Sequence, residues 1–116
     1  MVERKRLICD AEALADGGKG LRFTVERNGK EEPAFAIRHR GTVHAYVNRC
    51  AHVPIELDWA EGEFFDFSGL YLVCSTHGAA YLPASGRCIS GPCSGRGLVP
   101  LTVEESNGQV YLIGEQ

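Results

Sequence analysis

Between Cys50 and Gly86 the chain has no lysine and no arginine, although twelve basic residues are spread over the rest of the sequence. Glu56, Asp58, Glu61, Glu63 and Asp66 all fall in this segment, so it is five charges negative while the remainder is two positive. The favoured reading is a solvated acidic loop, and the alternative is an acidic collar that steers a partner with a basic docking face. Long apolar runs are also missing. Leu70 to Cys74 is typical of the longest, far short of the ~20 residues a membrane helix needs. Residues 1–10 carry positive charge with no apolar stretch behind them, which argues against a secretory signal. The expectation is a cytoplasmic protein with no membrane contact. A net charge of −3 also speaks against nucleic acid as a partner.

The 116 residues suit one domain, and an apolar fraction of 44% with 23% charged residues is that of a globular protein. The five cysteines are Cys9, Cys50, Cys74, Cys88 and Cys93. An odd count without a signal peptide favours thiols or metal ligands over a disulfide framework.

Helical periodicity is scarce and short alternating runs are many. Leu21 to Arg27 alternates apolar and polar residues and is followed by Asn28-Gly29, a tight-turn pair. Ala34 to Arg38 and Val43 to Asn48 are the next strands, with Arg40-Gly41 between them. Phe64 to Phe67 and Leu70 to Val73 flank Ser68-Gly69, and Leu101 to Glu104 and Val110 to Ile113 flank Asn107-Gly108. One helical turn is expected over Ala11 to Ala15, capped by Asp10. The expected class is all-β and antiparallel. Arg49 to Glu63, Ser75 to Ala79 and Cys88 to Gly97 interrupt the strand rhythm as loops.

Two of those loops carry the chemistry. Cys50-Ala51-His52 and Cys74-Ser75-Thr76-His77 each place a thiolate and an imidazole at a strand end, together four ligands for a soft or intermediate metal. Spacing alone leaves open a zinc site, for which Cys₂His₂ is an equally good set. Gly78 follows His77 where a tight turn favours a residue without Cβ. Gly91-Pro92, bracketed by Cys88 and Cys93, supplies a third loop able to close over the site.

C-x-H, a spacer, C-x-x-H-G, a Gly turn at Ser85-Gly86 and the Gly91-Pro92 loop together resemble the Rieske family over nearly the whole chain. The resemblance implies an antiparallel β sandwich or barrel, residues 1–116 forming a single domain with a small cluster-binding subdomain inserted at about 46–86. It implies one [2Fe–2S] cluster per chain, with Cys50 and Cys74 on the inner iron and His52 and His77 on the outer. Gly78, Tyr81, Gly91 and Pro92 would surround it. Two imidazoles in place of two thiolates make reduction easier, which puts such centres at about −150 to +300 mV.

Rieske proteins of respiratory complexes have an extra cysteine in each ligand loop, a membrane anchor, and a serine two residues beyond the second ligand histidine. This chain has no such cysteines and has Ala79 there, while keeping Tyr81. Fewer donors to the cluster imply a lower potential than the respiratory type. His39 and His44 have the H-x₄-H spacing of an oxygenase iron site, but Ala36 stands where its carboxylate would be; they are read as ordinary strand and turn residues. The chain therefore looks like a stand-alone ferredoxin, an electron carrier rather than an enzyme, working between a reductase and a terminal oxygenase or other oxidoreductase. Alternatives are the small Rieske-like subunit of a nitrite-reductase-type complex, a redox sensor and a structural zinc module.

Among the remaining residues, Cys88 and Cys93 are read as small buried thiols, with a disulfide between them as the alternative. Cys9 is read as a core residue on a strand, and Trp59 as core filler. Pro54, Leu57 and Pro92 are candidates for an apolar rim around the outer histidines. The donor, the acceptor, the pathway and the oligomeric state are not legible in the sequence.

Overall fold

The computed structural model describes residues 5–27, 29–50, 55–58, 60–74, 78–91 and 96–114. Its elements are almost all strands, as expected. β1 (Lys5–Asp10), β10 (Gln109–Ile113) and β9 (Val103–Ser106) form one antiparallel sheet in the order β1-β10-β9. β2 (Leu21–Arg27), β3 (Lys30–His39), β4 (Thr42–Val47) and β8 (Pro100–Leu101) form a second in that order. β5 (Leu72–Val73), β6 (Ala80–Tyr81) and β7 (Cys88–Ser90) make a third, small sheet.

The second sheet is the middle layer, and β3 shows why. Ala34, Phe35, Ala36 and Ile37 are all fully buried, and successive side chains on a strand point to opposite faces. The two alanines join Leu14, Val25, Val43, Ala45, Val110 and Leu112 on the side of the β1-β10-β9 sheet. Phe35 and Ile37 join Tyr46, Phe64, Leu72, Cys50, Cys74 and Tyr81 on the side of the small sheet. Small residues thus let two sheets approach closely on one face, while large ones fill the gap to the small sheet on the other. Phe35 stacks on Phe64 with ring centroids 4.0 Å apart and planes 13° from parallel. The Tyr46 hydroxyl donates to the Pro83 carbonyl at 2.6 Å, and burial pushes its pKa up to about 12.

Several expectations change, among them these. Asp10 makes no side-chain cap, and only a 3₁₀ turn forms at Ala11–Ala13. The Ala11 amide instead donates to the Gly108 carbonyl of the last hairpin at 2.8 Å, so tertiary contact uses the first donor. Phe64 to Phe67 is no strand; Phe65 alone bridges Leu72, because the Asp66 carboxylate accepts from both the amide and the hydroxyl of Ser68 and folds the chain over. Cys88 begins β7 rather than a loop, its register with Tyr81 reached through an irregularity that alternation cannot reveal. The Asn107-Gly108 turn is as expected, with both residues left-handed (φ 52° and 75°). Among the described residues no helix is long and apolar enough to cross a membrane.

Candidate metal centre

Each candidate cysteine stands where a strand gives way to a loop, and its own backbone closes that loop. After β4, the Cys50 amide donates to the Ile55 carbonyl at 2.7 Å. After β5, the Cys74 amide donates to the Ala79 carbonyl and the Gly78 amide returns a bond to Cys74, both at 2.8 Å. Gly78 has φ 71°, and among the described residues nothing lies within 4 Å of where a Cβ would stand, so the turn asks for its backbone freedom and not for space. Both sulfurs are buried, in one core with Leu57, Leu72 and Tyr81. The Tyr81 hydroxyl lies 3.3 Å from Cys50 Sγ.

Two buried sulfurs in an apolar core suit a metal group. Burial alone disfavours thiolates, and a bound cation reverses that preference. His52, His77 and Pro92 lie outside the described residues, as do Pro54, Trp59 and Cys93. Among the described residues no three His, Cys, Asp or Glu side chains converge as a metal site. Gly91 has φ 98°, and a Cβ there would come within 2.9 Å of Ala79 Cα. Gly91 therefore lies backbone to backbone against Ala79 of the turn that follows Cys74.

The surroundings correct several sequence readings. Leu57 is fully buried in the core and forms no rim. The acidic segment is largely answered from outside itself: Arg22 on β2 pairs with Glu56 and approaches Asp58 at 3.6 Å, and Lys19 lies 3.9 Å from Glu63. Arg22 stands opposite Phe35 in register, hence on the face that meets the small sheet. Asp58 is buried, not solvated. Cys88 is buried but held in a disulfide, not as the small thiol expected. Cys9 is half-buried against the core, and burial pushes its thiol pKa up. His39 and His44 sit on β3 and β4, opposite Thr42 and Ile37. The His39 ring lies over Phe65 with centroids 6.2 Å apart, and burial, with His39 nearby, pushes the His44 pKa down.

Asn48 carries a role that its sequence context does not announce. It is buried two positions before Cys50, its Nδ2 donating to Asp58 Oδ1 at 3.0 Å and its Oδ1 accepting from the Leu57 amide at 2.9 Å. A polar residue closing an apolar strand just ahead of a ligand loop was the available signal.

Comparison with known proteins agrees with this geometry. The Rieske [2Fe–2S] domain family matches residues 5–107. A chain from the complex of reduced oxygenase and oxidized ferredoxin in carbazole 1,9a-dioxygenase is 27% identical with a TM-score of 0.72, over 97% of this chain and 94% of that one. The ferredoxin of carbazole 1,9a-dioxygenase from Nocardioides aromaticivorans IC177 shares the fold at 19% identity and TM-score 0.68, over 96% of each chain. The Sphingomonas yanoikuyae B1 ferredoxin does so at 20% and 0.72, over 97% and 99%. No curated protein sequence matches significantly. The family brings one Rieske-type [2Fe–2S] cluster per chain, and one-electron transfer with it, which sets aside the zinc alternative. From the two closed cysteine loops, the shared fold and a match over most of the sequence, the chain belongs to the Rieske [2Fe–2S] domain family.

Proposed function

We propose that this chain is a non-enzymatic ferredoxin that carries single electrons from a reductase to a terminal oxygenase. In this proposal Cys50 and Cys74 hold the inner iron and His52 and His77 the outer. The observation that carries the ligand assignment is the pair of buried cysteine sulfurs at the mouths of two loops, one of them 3.3 Å from the Tyr81 hydroxyl. The oxygenase is proposed because a chain 27% identical occurs in a complex of oxygenase and ferredoxin. When bound, the cluster supplies a one-electron couple at two thiolates and two imidazoles.

The remaining work falls to the protein. Leu57, Leu72 and Phe64, all fully buried, keep water from the sulfurs. Tyr81 supplies an O–H donor to the Cys50 thiolate. The backbone bonds between Cys74 and the Gly78-Ala79 turn fix the position of Cys74, and Gly91 approaches Ala79 closely. We assign residues 46–86, with β7, to the cluster-binding part of a single domain. A cytoplasmic setting belongs to the same proposal.

Electron paramagnetic resonance of the dithionite-reduced protein tests the ligand set. The expected spectrum has the low g-average of mixed histidine and cysteine ligation. A g-average typical of four cysteines would overturn the assignment. Stopped-flow mixing of the reduced protein with a Rieske oxygenase tests the partner, with rapid reoxidation expected.

A further inference from the structure

The loop that follows β4 is anchored by polar groups buried in an otherwise apolar core. Asn48 uses both ends of its amide, accepting from the Leu57 amide at 2.9 Å and donating to Asp58 Oδ1 at 3.0 Å. Asp58 has no side-chain exposure, and its other oxygen accepts from the Gly62 amide at 3.0 Å. Arg22 Nε stands 3.6 Å from that same oxygen. Between these anchors, the Cys50 amide closes onto Ile55. Burying a carboxylate and an amide is costly unless their donors and acceptors are met, and here they are met by groups at the base of one loop. A stability role alone would be served as well by apolar residues; the placement two residues from Cys50 suggests another purpose.

We propose that Asn48 and Asp58 are positioning residues that hold the first cluster loop, and Cys50 with it, in the geometry that retains the cluster. The inference rests on the reading of Cys50 as a ligand. The hydrogen-bond pattern makes the pair directional. An ionised Asp only accepts, whereas Asn both donates and accepts. In Asn48→Asp, two carboxylates face each other; in Asp58→Asn, an NH₂ group confronts either the Asn48 NH₂ or the Gly62 amide. The swap Asn48→Asp/Asp58→Asn restores the three hydrogen bonds, though not the Arg22 ion pair: the carboxylate now at position 48 accepts from the Leu57 amide and from the side-chain amide now at position 58, whose oxygen accepts from Gly62.

The test uses the holoprotein, following loss of the visible charge-transfer absorption in excess chelator, the resonance spectrum of the reduced state, and the thermal midpoint. Each single variant is expected to lose the cluster about 10- to 100-fold faster than the wild type and to broaden the g-values. The swap is expected to return both readouts towards wild type, a rescue that mere loss of packing would not give. Single variants that keep the cluster as long as wild type would overturn the proposal, as would a swap that fails to fold or loses the cluster as fast as the single variants. Cys50→Ser separates the two readings. If it keeps an unaltered spectrum, the ligand assignment falls and this inference with it. If it loses the cluster while the single variants do not, only this inference falls.

Discussion

Tyr81 is fully buried, and its hydroxyl reaches Cys50 Sγ at 3.3 Å. A donor to a thiolate stabilises the more negative, reduced state, so Tyr81→Phe should lower the reduction potential. A differential of about 1 kcal/mol corresponds to roughly 40 mV for one electron, readable by protein-film voltammetry. An unchanged potential would leave Tyr81 as packing only. Two glycines near the site differ in what they need. Gly78 has φ 71° and open space among the described residues, whereas Gly91 has φ 98° and Ala79 Cα 2.9 Å from where a Cβ would stand. Alanine at Gly78 should cost about 1–2 kcal/mol, the left-handed penalty alone. Alanine at Gly91 should cost more, since backbone must also move; urea unfolding of both variants gives the order.

Elements are tied together by a few side chains that alternation patterns do not mark. Arg38 on β3 forks onto Glu105 of β9 at 2.8 and 3.0 Å, and also donates to the carbonyls of Leu14, Gly41 and Ala11. One guanidinium thus links both large sheets, the 3₁₀ turn and the β3–β4 turn. The Arg38 hydrogen bond holds the Glu105 carboxyl below its ordinary value of 4.5. A lowered carboxyl pKa stabilises the fold above the unfolded value, and that gain is lost as pH falls through the folded value. Glu105→Gln should therefore cost about 1 kcal/mol or less at pH 7, the pair being partly exposed. The gap from wild type should close as pH falls below 4.5. Denaturant melts across that range check the sign: a gap that widens in acid would contradict it. At the same turn, Arg40 has a left-handed φ of 52°, and Asp16 accepts from the Arg40 and Gly41 amides at 2.8 and 2.9 Å.

At the scale of the molecule, the described residues around the two candidate cysteines have no core separate from that of the middle sheet. Cys50, Cys74, Leu57, Leu72 and Tyr81 share one apolar cluster with Phe35, Ile37 and Tyr46 of the middle sheet. Phe64 is the main link, stacked on Phe35. Phe64→Ala should cost about 3–5 kcal/mol, a large part of a domain's stability, and should loosen the cluster-binding part and the sheet together. A single cooperative melt at lower temperature, with cluster absorbance and strand signal lost in step, is the expected outcome. Separate transitions would show that the cluster-binding part folds apart from the sheet.

Fold class, the Cys-x-His and Cys-x-x-His pairs and most hairpins were legible from residue order, because they depend on residues close along the chain. Leu21 to Arg27 alternates and is a strand; Asn107-Gly108 favours left-handed backbone and turns there. Other features depended on which distant segments meet. The small and large residues of Ala34 to Ile37 serve two cores at once, which only the stacking of three sheets reveals. Glu56 and Asp58 looked like part of an acidic surface, yet the register of β2 brings Arg22 to both and burial removes Asp58 from solvent. Asn48 looked like the end of a strand and proved to be the hub of the first loop. Local geometry can be read from neighbours in the chain, but burial and charge pairing belong to tertiary contacts.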